Sequence, residues 1–151
     1  MPEVSVGFRT GKGGLSAADL LVQLGPTLLV DLGLKSKAPV GSLPDLPGKR
    51  IKALIDTGAG GDCIDERLAR DLGLPVTGEG MVSGIGGRHH APVYLARLYV
   101  PALSRLLFQQ FAGVKLAEGS QFQRVILGRT FLRHGRLSYD GASGDVTLFT
   151  G

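Results

Sequence analysis

The chain has 151 residues with 17 basic and 13 acidic side chains, a net charge of +4, and one cysteine. That length sets a single domain, and the lone cysteine excludes an intramolecular disulfide and any zinc site built on several cysteines. The basic residues are scattered, tryptophan is absent and aromatics are 6%, a composition that argues against nucleic-acid binding.

With 24 glycines, 8 prolines and 43% hydrophobic residues, the composition suits short strands joined by tight turns. Residues 3–9 set Val4, Val6 and Phe8 against Glu3, Ser5 and Arg9, the alternation of a half-buried strand. Gly11-Lys12-Gly13-Gly14 marks a turn or joint; it shares the composition of a P-loop but not its spacing. Ser16 to Leu24 reads as a short helix capped by Ser16 and ended by Gly25, with a strand nearly as well supported. The apolar run Leu20 to Val30 has 11 residues, interrupted by Gln23, Gly25 and Pro26, whereas a membrane span needs about 20. The first residues lack the pattern of a secretory leader, so the expectation is a soluble cytoplasmic protein.

Thr27 to Leu34 is a second strand, Lys35 to Lys49 a long Pro/Gly-rich loop, and Arg50 to Asp56 a third strand. A helix then opens at the N-cap Asp65, with Leu68 and Leu72 on one face, Gly73 past its end and Pro75 beyond. Gly78 to Tyr99 forms a hairpin with its tip at Ser83-Gly84-Ile85-Gly86-Gly87 and its return strand from Pro92. Leu106 to Leu116 and Val125-Ile126-Leu127 are further strands, the latter followed by Gly128 and a helical turn that ends at His134-Gly135. A C-terminal hairpin joins Arg136–Asp140 to Asp145–Phe149, and no internal repeat is present.

Asp56-Thr57-Gly58-Ala59 leaves the apolar strand end Ala53-Leu54-Ile55 and runs into two more glycines. A carboxylate placed there is pushed toward its neutral form by low dielectric and toward its charged form by nearby N–H donors. Gly58 allows close backbone approach. One carboxylate cannot both activate a water and protonate a leaving amine. Two that share one proton can, because like charges about 3 Å apart do not both ionise. Alone, the four residues are better read as an ordinary turn. The glycine-tipped hairpin about 30 residues on and Val125-Ile126-Leu127-Gly128-Arg129 about 70 residues on add to them.

In these three segments the chain resembles the retropepsins, the retroviral-type, single-lobe aspartic proteases, of the cellular or bacterial kind. The likeness runs from about Gly25 to Phe149, giving an N-terminal extension or strand at 1–25 and a protease domain at 26–151. It implies an all-β, closed small acid-protease fold with a flap hairpin and one or two short helices. It further implies an endopeptidase active as a homodimer, with Asp56 from each copy in the dyad, Thr57 bonding across the dimer, and Gly58 meeting substrate main chain. Ala59, Gly84, Ile85, Gly86, Gly87 and Ile126 would contact the peptide, and Gly128 and Arg129 would be structural; no metal or other cofactor is implied. Ala59 lacks the hydroxyl that two-lobed relatives often place beside the carboxylate, so the expected pH optimum is about 5–6.

The chain departs from the viral pattern where two acids usually follow the alanine. Gly60 and Gly61 stand there, leaving Asp62, two residues along, as the nearest candidate partner for Arg129. Arg88, His89 and His90 make the flap polar, and the adjacent histidines point to opposite faces of a strand, against joint metal chelation. Cys63 reads as a buried small hydrophobe, and His134 as a residue favoured by a helix C-terminus. The Thr10–Gly14 joint is a candidate self-cleavage point. A non-catalytic peptide-binding or dimerisation module of the same fold is the competing reading. An anion site on the Gly58–Gly61 loop is a third, disfavoured by Asp56 and Asp62.

Overall fold

The computed structural model describes residues 2–9, 14–34, 49–84 and 86–151. Residues 35–48 of the expected loop, residues 10–13 of the N-terminal joint and the flap-tip Ile85 lie outside the described residues.

The chain opens with β1 (Glu3–Ser5) and α1 (Ala17–Leu24). The helix runs over Ala17–Leu24 with Ser16 as its N-cap: Ser16 Oγ accepts from Asp19 N at 3.1 Å, and Gly25 turns the chain out at φ +76°. β2 (Thr27–Gly33), β3 (Ile51–Ile55) and β4 (Asp62–Asp65) follow, then α2 (Glu66–Asp71). Asp65 caps α2 through its Oδ2 (Leu68 N, 3.2 Å), and its Oδ1 takes Ala117 N at 2.9 Å. The hairpin is β5 (Val76–Gly84) and β6 (Gly87–Val100). A short 3-10 turn (Pro101–Leu103) leads to β7 (Arg105–Val114), and β8 (Val125–Leu127), α3 (Arg129–Leu132), β9 (Gly135–Asp140) and β10 (Asp145–Thr150) complete the chain.

Seven strands pair in the order β2-β3-β8-β4-β7-β6-β5, and a further β2–β6 pairing closes the first six into a barrel. The closing seam sets Asp31, Leu32 and Gly33 opposite Tyr99, Leu98 and Arg97. β3 runs parallel to β8 and β4 parallel to β7. Among the described residues β5 pairs with β6 alone, at the end of the strand order, so the hairpin extends from the barrel as a flap. β1, β10 and β9 make a separate antiparallel sheet.

One core joins these parts. It includes Leu28, Leu32, Ile64, Leu98, Phe111 and Leu127 from the barrel, Leu148 from the second sheet, Leu21 from α1, and Val6 just beyond β1. Each such side chain contributes about 1.5–3 kcal/mol by leaving water. Val6 and Leu21, with Val4 and Phe8 packed against the cluster, therefore tie the described part of the N-terminal segment into the same core as the rest. No helix among the described residues is long and apolar enough to cross a membrane.

Two element boundaries and one further strand stand out against expectation. β1 ends at Ser5, because Val6 turns between two sheets: its N–H bonds Val146 O at 2.9 Å and its carbonyl accepts from Thr27 N at 2.8 Å. The flap's return strand begins at Gly87, five residues before Pro92, because residues 87–91 pair with 80–84. Finally, β4 was not foreseen. Its buried positions are Asp62, Ile64 and Asp65, and acids are not read as core.

Candidate active site

Asp56 emerges at the end of β3, where its N–H donates to Leu127 O of neighbouring β8 at 2.9 Å. Its Oδ1 accepts from Gly58 N at 2.9 Å, and its carbonyl accepts from Ala59 N at 3.3 Å. These bonds curl residues 56–59 into a tight turn and leave Asp56 half-buried, with Thr57 and Gly58 exposed.

The start of α3 holds the turn from beneath. Arg129 N donates to Ala59 O at 2.9 Å and Thr130 N to Gly60 O at 3.0 Å, reinforced by Thr130 Oγ1 on the same oxygen at 2.9 Å. Gly128 permits this approach, since a Cβ there would lie 2.4 Å from Gly61 O and 2.7 Å from Ala59 O. Any side chain would drive the two segments apart.

Arg129 extends its guanidinium to the Thr57 carbonyl, with Nη1 at 2.8 Å. The partner left open by the sequence is thus a main-chain oxygen rather than Asp62. Asp62 is turned inward, 4% exposed, and accepts from Gly128 N at 2.8 Å through Oδ1. Its Oδ2 is buried without a hydrogen-bond partner among the described residues. Burial pushes the carboxyl up to about 6, against the opposing pull of the Gly128 N–H. Sequence reasoning named Asp62 for another role. The spacing Asp62-Cys63-Ile64-Asp65, which alternates about a buried isoleucine, was the available sign of an inward-facing acid.

Ile126 pairs in register with Leu54 on one side and Cys63 on the other, so the three share a face; all are half-buried. Cys63 is therefore not fully buried as expected. Its thiol is pushed up by burial, then by the negative charges of Asp62 and Asp56. A hollow of about 390 Å³ opens beside the turn, lined by Thr57, Arg129, Leu132, Arg133, Gly135 and Leu137.

Asp56, Thr57, Gly58, Ala59, Ile126, Gly128 and Arg129 thus meet at one end of the barrel. Gly84, Gly86 and Gly87 do not join them: all three stand exposed at the flap tip, and a Cβ at any of them would touch nothing within 4 Å. His89 and His90 are exposed on β6, opposite Val82 and Met81.

A closed small barrel with a flap hairpin, and an Asp-Thr-Gly turn held by a Gly-Arg segment, has the architecture of a single-lobe acid protease. Residues 45–134 match the gag-polyprotein putative aspartyl protease family model, and the chain belongs to that family. Among solved structures, a retropepsin-like aspartic protease from Rickettsia conorii is 13% identical, with 97% of this chain and 89% of that one covered at a TM-score of 0.52. At that identity the likeness establishes the shared fold. The simian foamy virus (mac) protease is 16% identical over 71% of this chain and 91% of its own, with a TM-score of 0.46. The EIAV protease in complex with the inhibitor HBY-793 is 16% identical over 72% and 85%, with a TM-score of 0.48. No curated protein matches.

Proposed function

We propose that the chain is an aspartic endopeptidase that works as a homodimer, each copy supplying one Asp56. The observation that carries this reading is the single Asp56 turn, clamped by Arg129 and Thr130 yet exposed at Thr57 and Gly58. It is half of a dyad on a rigid seat, with its outer face open to a second copy. Two such turns across a two-fold axis place two carboxyls together, sharing one proton.

The ionised carboxyl takes a proton from a water held between the pair as the water oxygen attacks the scissile carbonyl carbon. The protonated carboxyl gives its proton to the carbonyl oxygen, leaving a neutral tetrahedral diol. Collapse of the diol breaks the C–N bond: the carboxyl that took the water proton passes it to the leaving nitrogen, and the other takes a hydroxyl proton from the diol, which restores the pair sharing one proton. Thr57 bonds across the dimer and keeps the two turns symmetric. The extended peptide lies between the turns and the flaps, binding by main-chain bonds, with alternate side chains set against Leu54, Cys63 and Ile126. Gly84, Gly86 and Gly87 supply the flap's mobility as it closes.

The test is cleavage of a peptide library by the wild type and by Asp56→Asn, with and without a statine-type mimic of the tetrahedral intermediate. Cleavage that the mimic blocks and the substitution abolishes supports the reading. A dimeric sample with neither property would be a non-catalytic module of the same fold.

A further inference from the structure

Of the side-chain bonds made by the Gly128–Thr130 segment that seats the catalytic turn, one has a titratable acceptor. Gly128 is buried, and its N–H points at Asp62 Oδ1 at 2.8 Å. The two carbonyls that crowd it, of Ala59 and Gly61, lie on the side where its Cβ would be. The next two N–H groups, of Arg129 and Thr130, are the ones that hold Ala59 and Gly60. Asp62 therefore fixes the first peptide of the segment on which the Asp56 turn rests.

Among the described residues, the surroundings of Asp62 offer few other charges. Its register partner on β7 is Phe111, a strand whose one charged residue is Arg105 at the far end, and β8 is wholly apolar. From its own strand come Cys63 and Asp65, the latter engaged by Leu68 N and Ala117 N. The catalytic turn brings Asp56. α3 brings Arg129, whose guanidinium is on Thr57 O, with Arg133 and His134 exposed beyond the helix. From α2, Glu66 and Arg70 pair with each other at 3.7 Å, and Arg67 and Asp71 are exposed.

We propose that Asp62 is a positioning residue for Asp56, seating the 56–61 turn through the Gly128 N–H more tightly as a carboxylate than as a neutral acid. This rests on the endopeptidase reading. An ionised acceptor makes a shorter bond of roughly twice the strength of a neutral one. Burial sets the ionisation of this carboxyl near pH 6, at the edge of the range in which the dyad is expected to work. The grip on the turn thus changes where the enzyme operates.

The test follows the amide resonances of Gly128, Arg129 and Thr130 by ¹⁵N NMR from pH 4.5 to 8, in the wild type and in Asp62→Asn. The expected result is a downfield step of the Gly128 proton with rising pH, shared in midpoint by Arg129 and Thr130 and absent from all three in Asp62→Asn. On peptide substrate, kcat in the wild type should show a step at that midpoint that Asp62→Asn lacks, with KM little changed. Asp62→Asn, which keeps an acceptor, should stay within about threefold of wild-type kcat, whereas Asp62→Val should lose about tenfold or more. A Gly128 amide that does not titrate, or steps that persist in Asp62→Asn, would overturn the proposal. If the wild type cleaves no peptide, the endopeptidase reading fails, and the amide titration alone decides whether Asp62 seats the turn.

Discussion

Asp62→Asn is expected to stabilise the protein more at neutral pH than in acid, because it removes a buried carboxyl that the fold prefers neutral. In the unfolded chain this group titrates near 3.8, and in the native state near 6. Between those values the native state binds more protons, so wild-type stability falls as pH rises through the window. Linkage over this interval gives a cost of about 3 kcal/mol at pH 7.5 and about 1 kcal/mol at pH 4.5. Asparagine pays no such cost. It does bury an NH₂ in place of Oδ2, a penalty of about 1–3 kcal/mol that is the same at both pH values. The informative quantity is therefore the difference between the two conditions, about 2 kcal/mol, or about 4–8 °C in Tm for a chain of this size. Thermal melts of both proteins at equal concentration at pH 4.5 and 7.5 measure it. Asp140, held below its ordinary value chiefly by the Ser143 N–H and hydroxyl and by the Ala142 N–H, loses its contribution as pH falls, and this cancels in the comparison. An Asp62→Asn effect of equal size at both pH values would refute the reasoning.

Two further substitutions probe the site. Gly128→Ala places a methyl 2.4 Å from Gly61 O, and the expected loss is about 3 kcal/mol or more, read as a lowered midpoint in denaturant; an unchanged midpoint would show that the turn yields freely. Ala59→Ser restores a hydroxyl beside Asp56, and the acid limb of kcat/KM should move down by about half a pH unit or more, from an optimum of about 5–6 in the wild type. A wild-type rate still rising below pH 3 would refute the role given to Ala59.

Much of this arrangement was legible in local sequence because its signals are local. Ser16 and Asp65 cap their helices, and Gly25 and Gly73 end them at φ +76° and +65°. The Asp56 turn sits where an apolar strand runs into glycine. What escaped was set by distant partners. β4 hides because Asp62 and Asp65 are buried to accept the distant main-chain N–H groups of Gly128 and Ala117, and a carboxylate that satisfies backbone donors reads like one facing water. The Arg129 contact was equally hidden, since its acceptor is the Thr57 carbonyl, which every residue type carries. The β2–β6 seam that closes the barrel joins segments more than 60 residues apart and leaves no local mark.

The most direct test of two chains sharing one dyad is subunit mixing. Asp56→Asn chain is added to a fixed amount of wild type under exchange conditions, and peptide cleavage is followed. At equal amounts, random pairing leaves about half of the wild-type chains with a wild-type partner, so activity should fall to about half and keep falling as the variant is added. Activity that stays constant while the variant exchanges into dimers would contradict a dyad built from two Asp56 carboxyls.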